Sequence, residues 1–416
     1  MNRRKFITAA GAATAIAAVG PSLLAHGETS SQIDASIITA MKSRIKPITN
    51  EERQQRVEKA LRLMAESNVG AILMEGGTSM NYFTGAQWGR SERLFAMVLP
   101  QKGEPFYIAP AFEEGRAREQ TGNAKVYVWQ ENESPFELIR KVLTDAGLSN
   151  TVIGIEETMR FFVTDNLKKS VPGLLMVSAT PITAGCRAVK SAHEIELMQI
   201  ANDILAEVYK TAIKKLKEGM GESELAGIVS NLFSEFGVGG GALVLFGAAA
   251  AYPHGTIKEN KLKENDIVLI DGGCTVEGYD SDVTRTTVFG KPAAKMKSVF
   301  EIVLKAQTEA LKIAKPGIEA QLVDAAARQV IEQNGYGNGY KYFTHRLGHG
   351  IGMDGHEWNY LVGGSTKPLQ AGNIFSNEPG IYITGEFGIR IEDEMLITEN
   401  GAKLLLPQAQ SLEKIF

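Results

Sequence analysis

The sequence predicts an α+β chain of two domains: a smaller mixed α/β domain, then a larger one whose glycine-rich strands fold back on themselves as antiparallel hairpins. Three observations lead there. The chain has 416 residues, more than one ordinary core holds. Residues 51–185 alternate helix and strand patterns, and from 186 to 416 long helices are interleaved with glycine-rich strands.

Taken in order, residues 1–27 read as a targeting segment. Arg3-Arg4-Lys5-Phe6-Ile7 opens an Ala/Gly-rich run to Ala25, and Gly27 offers a small residue for cleavage. This is the pattern of a twin-arginine (Tat) signal, which implies export after folding, to a periplasm or an equivalent exterior. Gly11, Gly20 and Pro21 make the run a poor membrane span, so no stable span is expected once the signal is removed. Residues 28–50 are polar and unpatterned and read as a linker.

A helix is expected from Thr49 and Asn50, with Val57, Leu61 and Met64 on one face. Strands are expected at Ala71–Met74, Leu94–Leu99, Pro105–Ala109, Lys125–Trp129 and Thr151–Ile155, with a hairpin turn at Gln101–Glu104. Ser134-Pro135-Phe136-Glu137 reads as a capping box with proline at the first helical position. No cluster of His, Asp and Glu marks a site in this half. A second capping box, Ser191 to Glu194, starts a long helix to about Lys217, and His193 reads as a surface or cap residue. Helices follow at about 222–236, 294–314 and 319–334, the last two stopped by Lys315-Pro316-Gly317 and Asn334-Gly335.

Composition narrows the function. With 44% hydrophobic and 22% charged residues the chain is ordinarily globular, and a formal net charge of −4 excludes an overall basic, phosphate-binding surface, so no nucleic-acid partner is expected. Cys186 and Cys274, the only cysteines, form no disulfide framework and no zinc pattern.

The carboxylates carry the chemistry. In VLIDGGCTVEGYDSDVTRTTVFG two strand-like arms flank a turn at Val276-Glu277-Gly278, which makes Asp271 and Asp282 direct or diagonal cross-strand neighbours on one face. In NEPGIYITGEFGIRIEDE, Glu378 and Glu392 are equidistant from Gly385, so a hairpin centred there sets them opposite one another. Burying four uncompensated carboxylates would cost several kcal/mol apiece. Two divalent cations would remove that cost. His349, in the glycine-rich run HRLGHGIGMDGHE, adds an imidazole to the oxygen donors, a shell that favours manganese, with cobalt or zinc next, over a soft metal. Two such ions roughly 3.5–4 Å apart activate water and polarise a carbonyl together, the design of a peptide or amide hydrolase.

From about residue 186 onward the chain resembles the catalytic domain of the pita-bread metallopeptidases, the fold shared by methionine aminopeptidase, aminopeptidase P, prolidase and creatinase. The matching motifs are PHG at 253–255, DGG…YDSDVTRT, HRLGHGIGMDGHE, NEPGIY and RIEDE, in family order. The preceding domain is similar to the creatinase-type N-terminal domain of prolidases and aminopeptidases P, which simple methionine aminopeptidases lack. The resemblance implies a strongly curved antiparallel sheet and hydrolysis of the peptide bond before proline in a small peptide, as an Xaa-Pro dipeptidase or aminopeptidase. It also implies a homodimer or larger homo-oligomer.

Carried onto this sequence, the resemblance makes Asp271 a ligand of one metal and Asp282 and Glu392 bridges between two. His349 and Glu378 bind the second metal, with Glu378 also taking a proton from the attacking water. It gives His254 and His356 the stabilisation of the tetrahedral intermediate or proton delivery to the leaving nitrogen. His345 lines the pocket for the proline side, and Arg390 supports that pocket, either meeting a substrate carboxylate or serving a structural ion pair. Gly355 departs from the family, which has Ile or Val before His356. Two rivals stand beside this reading: a creatinase- or ectoine-hydrolase-like enzyme acting on a small metabolite, and a non-catalytic binding protein on the same fold. The complete ligand set weighs against metal-free creatinase chemistry and against the binding protein, but does not exclude a metal-using amide hydrolase.

Overall fold

The computed structural model describes residues 33–416; the expected signal lies outside the described residues. Where the sequence reading places a linker, a helix forms instead: α1 (Ala35–Arg44), capped by the Asp34 side chain on Ser36 N. Its residues Ile37, Ile38 and Met41 pack against the core of the C-terminal domain. One apolar face spread over a single short helix is too weak a period to read in so polar a stretch.

The first domain is a six-stranded mixed sheet between helices. Its strands are β1 (Ala71–Glu75), β2 (Ala96–Pro100), β3 (Phe106–Pro110), β4 (Lys125–Trp129), β5 (Val152–Ile155) and β6 (Leu175–Ser178), in the order β4-β3-β2-β1-β5-β6. The pairs β1–β2 and β2–β3 are antiparallel and the other three are parallel. Strand β1 is apolar throughout its first four residues because both faces are covered: Ile72 and Met74 join one core, Ala71 and Leu73 the other. The helices are α2 (Asn50–Glu66), α3 (Thr78–Thr84), α4 (Glu114–Thr121), α5 (Pro135–Asp145), α6 (Phe161–Ser170) and α7 (Thr180–Ala188). The capping box at Thr49 and Glu52 forms in full. At Ser134 only half does: the hydroxyl accepts Glu137 N, while the Glu137 carboxylate pairs with Arg140. Strand β6 is absent from the sequence reading; it is a four-residue edge strand that buries none of its side chains, so no alternation betrays it.

The second domain opens with α8 (Ala192–Ile213), started by the expected Ser191–Glu194 box, and α9 (Glu222–Glu235). Strands β7 (Gly239–Phe246), β8 (Ile267–Val276), β9 (Tyr279–Asp280) and β10 (Val283–Val288) make one antiparallel sheet. After α10 (Ala294–Ile313) and α11 (Ala320–Ile331) come β11 (Gly348–Gly350), β12 (Glu357–Leu361), β13 (Ile374–Asn377), β14 (Gly380–Ile383), β15 (Phe387–Arg390), β16 (Asp393–Ile397) and β17 (Ala402–Leu404). The order β12-β11-β13-β16-β17 forms a second antiparallel sheet, and β14 pairs with β15. Helices cover both sides of β8: Val268 and Ile270 face the core of α8 and α9, Ile267 and Leu269 that of α10 and α11. This explains four consecutive apolar residues running straight into Asp271.

Candidate metal centre

The centre forms where the two hairpins meet. In the first, the turn at Glu277 and Gly278 has both residues at positive φ, and the register pairs Thr275 with Asp280 and Asp271 with Thr284. Asp282 therefore sits diagonally across from Asp271 on the same face, the second of the two arrangements the sequence allows. Glycine is required beside it: a Cβ on Gly273 would lie 1.6 Å from Ser281 O.

The second hairpin is one long ladder. Asn377 pairs with Asp393 at the end of β13–β16, and Gly380 pairs with Arg390 at the start of β14–β15. Both pairs share the register centred on Gly385, so Glu378 and Glu392 stand opposite each other in the gap between them. His349 arrives on β11 beside β13, with its backbone N–H donating to Ser376 Oγ at 2.9 Å. Gly348 permits that approach, since a Cβ there would meet Ser376 O at 1.9 Å.

Ligand atoms of Asp271, Asp282 and Glu392 all lie within 4.8 Å of one another, as do those of His349, Glu378 and Glu392, and those of Asp282, His349 and His356. His349 Nδ1 lies 3.0 Å from Gly350 O. A carbonyl only accepts, so Nδ1 carries the proton and Nε2 presents a lone pair. That lone pair lies 3.5 Å from Glu378 Oε1 and 3.8 Å from Asp282 Oδ2, with no proton of its own to bridge them.

Burial pushes the carboxyl of Glu378 up to about 7, with Asp271 adding to the rise against the pull of Arg390. Burial and neighbouring acids raise Asp282 and Glu392 well above their ordinary range. Burial also lowers the imidazole of His349 to about 3, keeping it neutral and able to ligate. Neutral imidazole and converging acids with little internal countercharge are the donor set of a hard or borderline divalent cation, and the residues fit a metal pair.

The site faces a cavity of about 620 Å³ lined by these groups together with His254, His345, Arg346, His356 and Arg390. His356 stacks on His349, ring centroids 3.7 Å apart, and its Nδ1 accepts Arg346 Nη2 at 3.3 Å. His254 is exposed on the cavity wall. Both nitrogens of His345 are occupied: Nδ1 donates to Arg346 O at 2.8 Å and Nε2 accepts Tyr382 OH at 2.7 Å, leaving the ring to line the pocket.

Arg390 is only 2% exposed. It donates to Asp271 Oδ2, Thr284 Oγ1, Pro253 O and Tyr382 OH. Of its two expected roles, the geometry fits the structural ion pair. Before His356, Gly355 leaves open space; a Cβ there would meet only Asp280 Oδ2, at 3.9 Å.

Several participants escape sequence reasoning. Thr284 Oγ1 lies 2.9 Å from Asp271 Oδ1 and 2.6 Å from Glu392 Oε2. It stands two residues beyond Asp282 on the same face, so strand alternation could have found it. Ser376, which donates to Glu378 Oε1 at 3.1 Å, and Tyr382 carry no such signal. Arg346 lies inside a quoted motif, yet only the fold shows that it lines the cavity.

Comparison with known proteins agrees with this geometry. Residues 196–399 match the model of metallopeptidase family M24, and residues 56–189 that of the creatinase/prolidase N-terminal domain. An Xaa-Pro dipeptidase of Pyrococcus furiosus is 32% identical over 362 residues, covering 86% of this chain and 99% of the relative. Among solved structures, a prolidase from Thermococcus sibiricus superposes with a TM-score of 0.79 at 33% identity, over 85% of this chain and 96% of its own. A dipeptidase from Mycobacterium ulcerans gives 0.81 at 31% identity, over 87% and 97%. The chain belongs to metallopeptidase family M24, with a creatinase-type N-terminal domain before its pita-bread domain, and is an enzyme of that peptidase family.

Proposed function

We propose that this enzyme hydrolyses the peptide bond on the amino side of proline in short peptides, with two divalent cations held by Asp271, Asp282, His349, Glu378 and Glu392. The observation that carries the reading is the His349 Nε2 lone pair, held free by the Nδ1–H bond to Gly350 O and converging with the carboxyl oxygens of Glu378, Asp282 and Glu392. Manganese suits this oxygen-rich shell first, cobalt or zinc next. Bound there, the cations supply the Lewis acidity that polarises a carbonyl and acidifies water.

The chain's own groups do the rest. Glu378 accepts a proton from the attacking water. His356, whose Nδ1 is occupied by Arg346, holds its proton on Nε2 and can donate a hydrogen bond from it to the oxygen of the tetrahedral intermediate, keeping the proton. As the C–N bond breaks, the proton taken by Glu378 passes to the proline nitrogen, with His254 on the cavity wall placed to assist. The half-buried ring of His345, with both nitrogens occupied, gives the proline side a surface to rest on. The names of the relatives, an Xaa-Pro dipeptidase and a prolidase, support the choice of substrate.

Purified enzyme supplied with manganese, cobalt or zinc should release proline from Xaa-Pro peptides and leave the same peptides with alanine in place of proline largely uncut. Failure with all three metals would sink the proline reading.

A further inference from the structure

Two arginines line the catalytic cavity, and their bonding differs. A guanidinium carries five N–H donors. Arg390 commits donors to four partners inside the protein, among them the Asp271 carboxylate. The Arg346 guanidinium makes one hydrogen bond among the described residues, the long one of 3.3 Å to His356 Nδ1, and no ion pair. It is half-buried and rests on the ring of Tyr360, 4.0 Å from the centroid, which holds the guanidinium flat without neutralising it.

An uncommitted guanidinium in a catalytic cavity is a receptor for a planar anion, because the fork matches a carboxylate bidentately. Its place fixes which carboxylate. His349, at the acidic centre, stacks on His356, and His356 in turn accepts the hydrogen bond from Arg346. With the scissile carbonyl at the acids and the leaving nitrogen beside His356, the next group along a substrate is the α-carbon of the leaving residue and its carboxyl group. We infer that Arg346 binds the free carboxylate of that residue, so that the enzyme is a dipeptidase in preference to an aminopeptidase working on longer peptides. This rests on the peptide-hydrolase reading of the site. A longer peptide places an amide where the carboxylate should be and leaves the guanidinium unpaired.

The test uses the full chain loaded with manganese, and the substrates Ala-Pro, Ala-Pro-amide, Ala-Pro-Ala, Ala-Ala and Ala-Ala-amide. For the native enzyme kcat/KM should be about 10²-fold higher on Ala-Pro than on its amide or on the tripeptide. Arg346→Gln should slow all substrates through its lost contact with His356, but should slow Ala-Pro about 10²-fold more than the amide and so erase that ratio, and Arg346→Lys should keep part of the preference. Metal content should be unchanged in both variants. In calorimetry, proline should bind more weakly to Arg346→Gln than to the native enzyme, with prolinamide unaffected.

Equal losses on acid and amide would overturn the inference and leave Arg346 as a positioning residue for His356. A native enzyme that cuts Ala-Pro-Ala as well as Ala-Pro would also overturn it. Cleavage of Ala-Ala but not Ala-Pro would defeat the proline reading alone, and the Ala-Ala acid-to-amide ratio would then decide for or against Arg346. If nothing in the panel is cut, both readings fall.

Discussion

The molecule buries acids in two neighbouring places and treats them in opposite ways. At the junction of the two domains, Glu357 on β12 accepts Arg187 Nε at 3.1 Å and Lys190 Nζ at 2.7 Å, and Arg187 also pairs with Asp354. Arg187 and Glu357 are each 3% exposed, so this charge is deeply buried and internally balanced. Ser79 and Thr78 of α3 bond to Arg187 and Asp354, which ties the first domain to the loop carrying His356. In the centre, Asp271, Asp282, Glu378 and Glu392 meet one cation, Arg390, paired with Asp271. A balanced buried cluster holds a fold together. An unbalanced one is a receptor for something absent from the sequence.

The largest test of this contrast removes acids from the unbalanced side. Asp282→Ala and Glu392→Ala should each lose most bound metal by elemental analysis and lower kcat/KM by at least about 10³-fold. The folded state should survive, because each change removes a repulsive charge from the metal-free protein. Loss of the fold instead of the metal would mean that these acids are structural, and would erase the distinction between the two clusters.

How much of this could be read before the fold was known depends on the physics of each element. Both hairpins follow from strand alternation about a glycine-containing turn, a local rule that involves only adjacent segments, and it pairs the acids two by two; the meeting of the two hairpins is a long-range contact outside that rule. Strand β1 was legible because both its faces are buried. The balanced cluster was not. Arg187, Lys190, Glu357 and Ser79 come from distant segments, and a charged residue in a sequence carries no mark of burial. Arg346 was hidden for the same reason: its lack of a partner is a property of its surroundings. Helix α1 was missed because its apolar residues find their partners in the core around α8, far along the chain.

On the balanced side, Glu357→Ala should cost about 3–5 kcal/mol in chemical denaturation, because it strands two buried cations. The variant should fold with its metal-binding acids intact and bind manganese. Removing metal is the next smaller effect. A cation present at about 100 times its dissociation constant stabilises the native state by about 2.7 kcal/mol, so chelation should lower the denaturation midpoint of the native enzyme and leave that of Asp282→Ala nearly unchanged.

The finest distinction is in the response to acid. Burial pushes the Glu357 carboxyl up, but the Lys190 and Arg187 charges outweigh it and hold the group below its ordinary value of 4.5. A depressed carboxylate contributes stability that is fully present above the unfolded-state pKa and is lost as pH falls through the folded-state pKa. The stability difference between native enzyme and Glu357→Gln should therefore be constant from about pH 7 to 5 and shrink below that, as protonation makes the native side chain resemble glutamine. Both proteins should be compared without metal, so that the acids of the centre titrate alike in each and cancel. A difference that instead grew as the pH fell would mean that the arginine and lysine do not stabilise the ionised form, and the junction could no longer be called balanced.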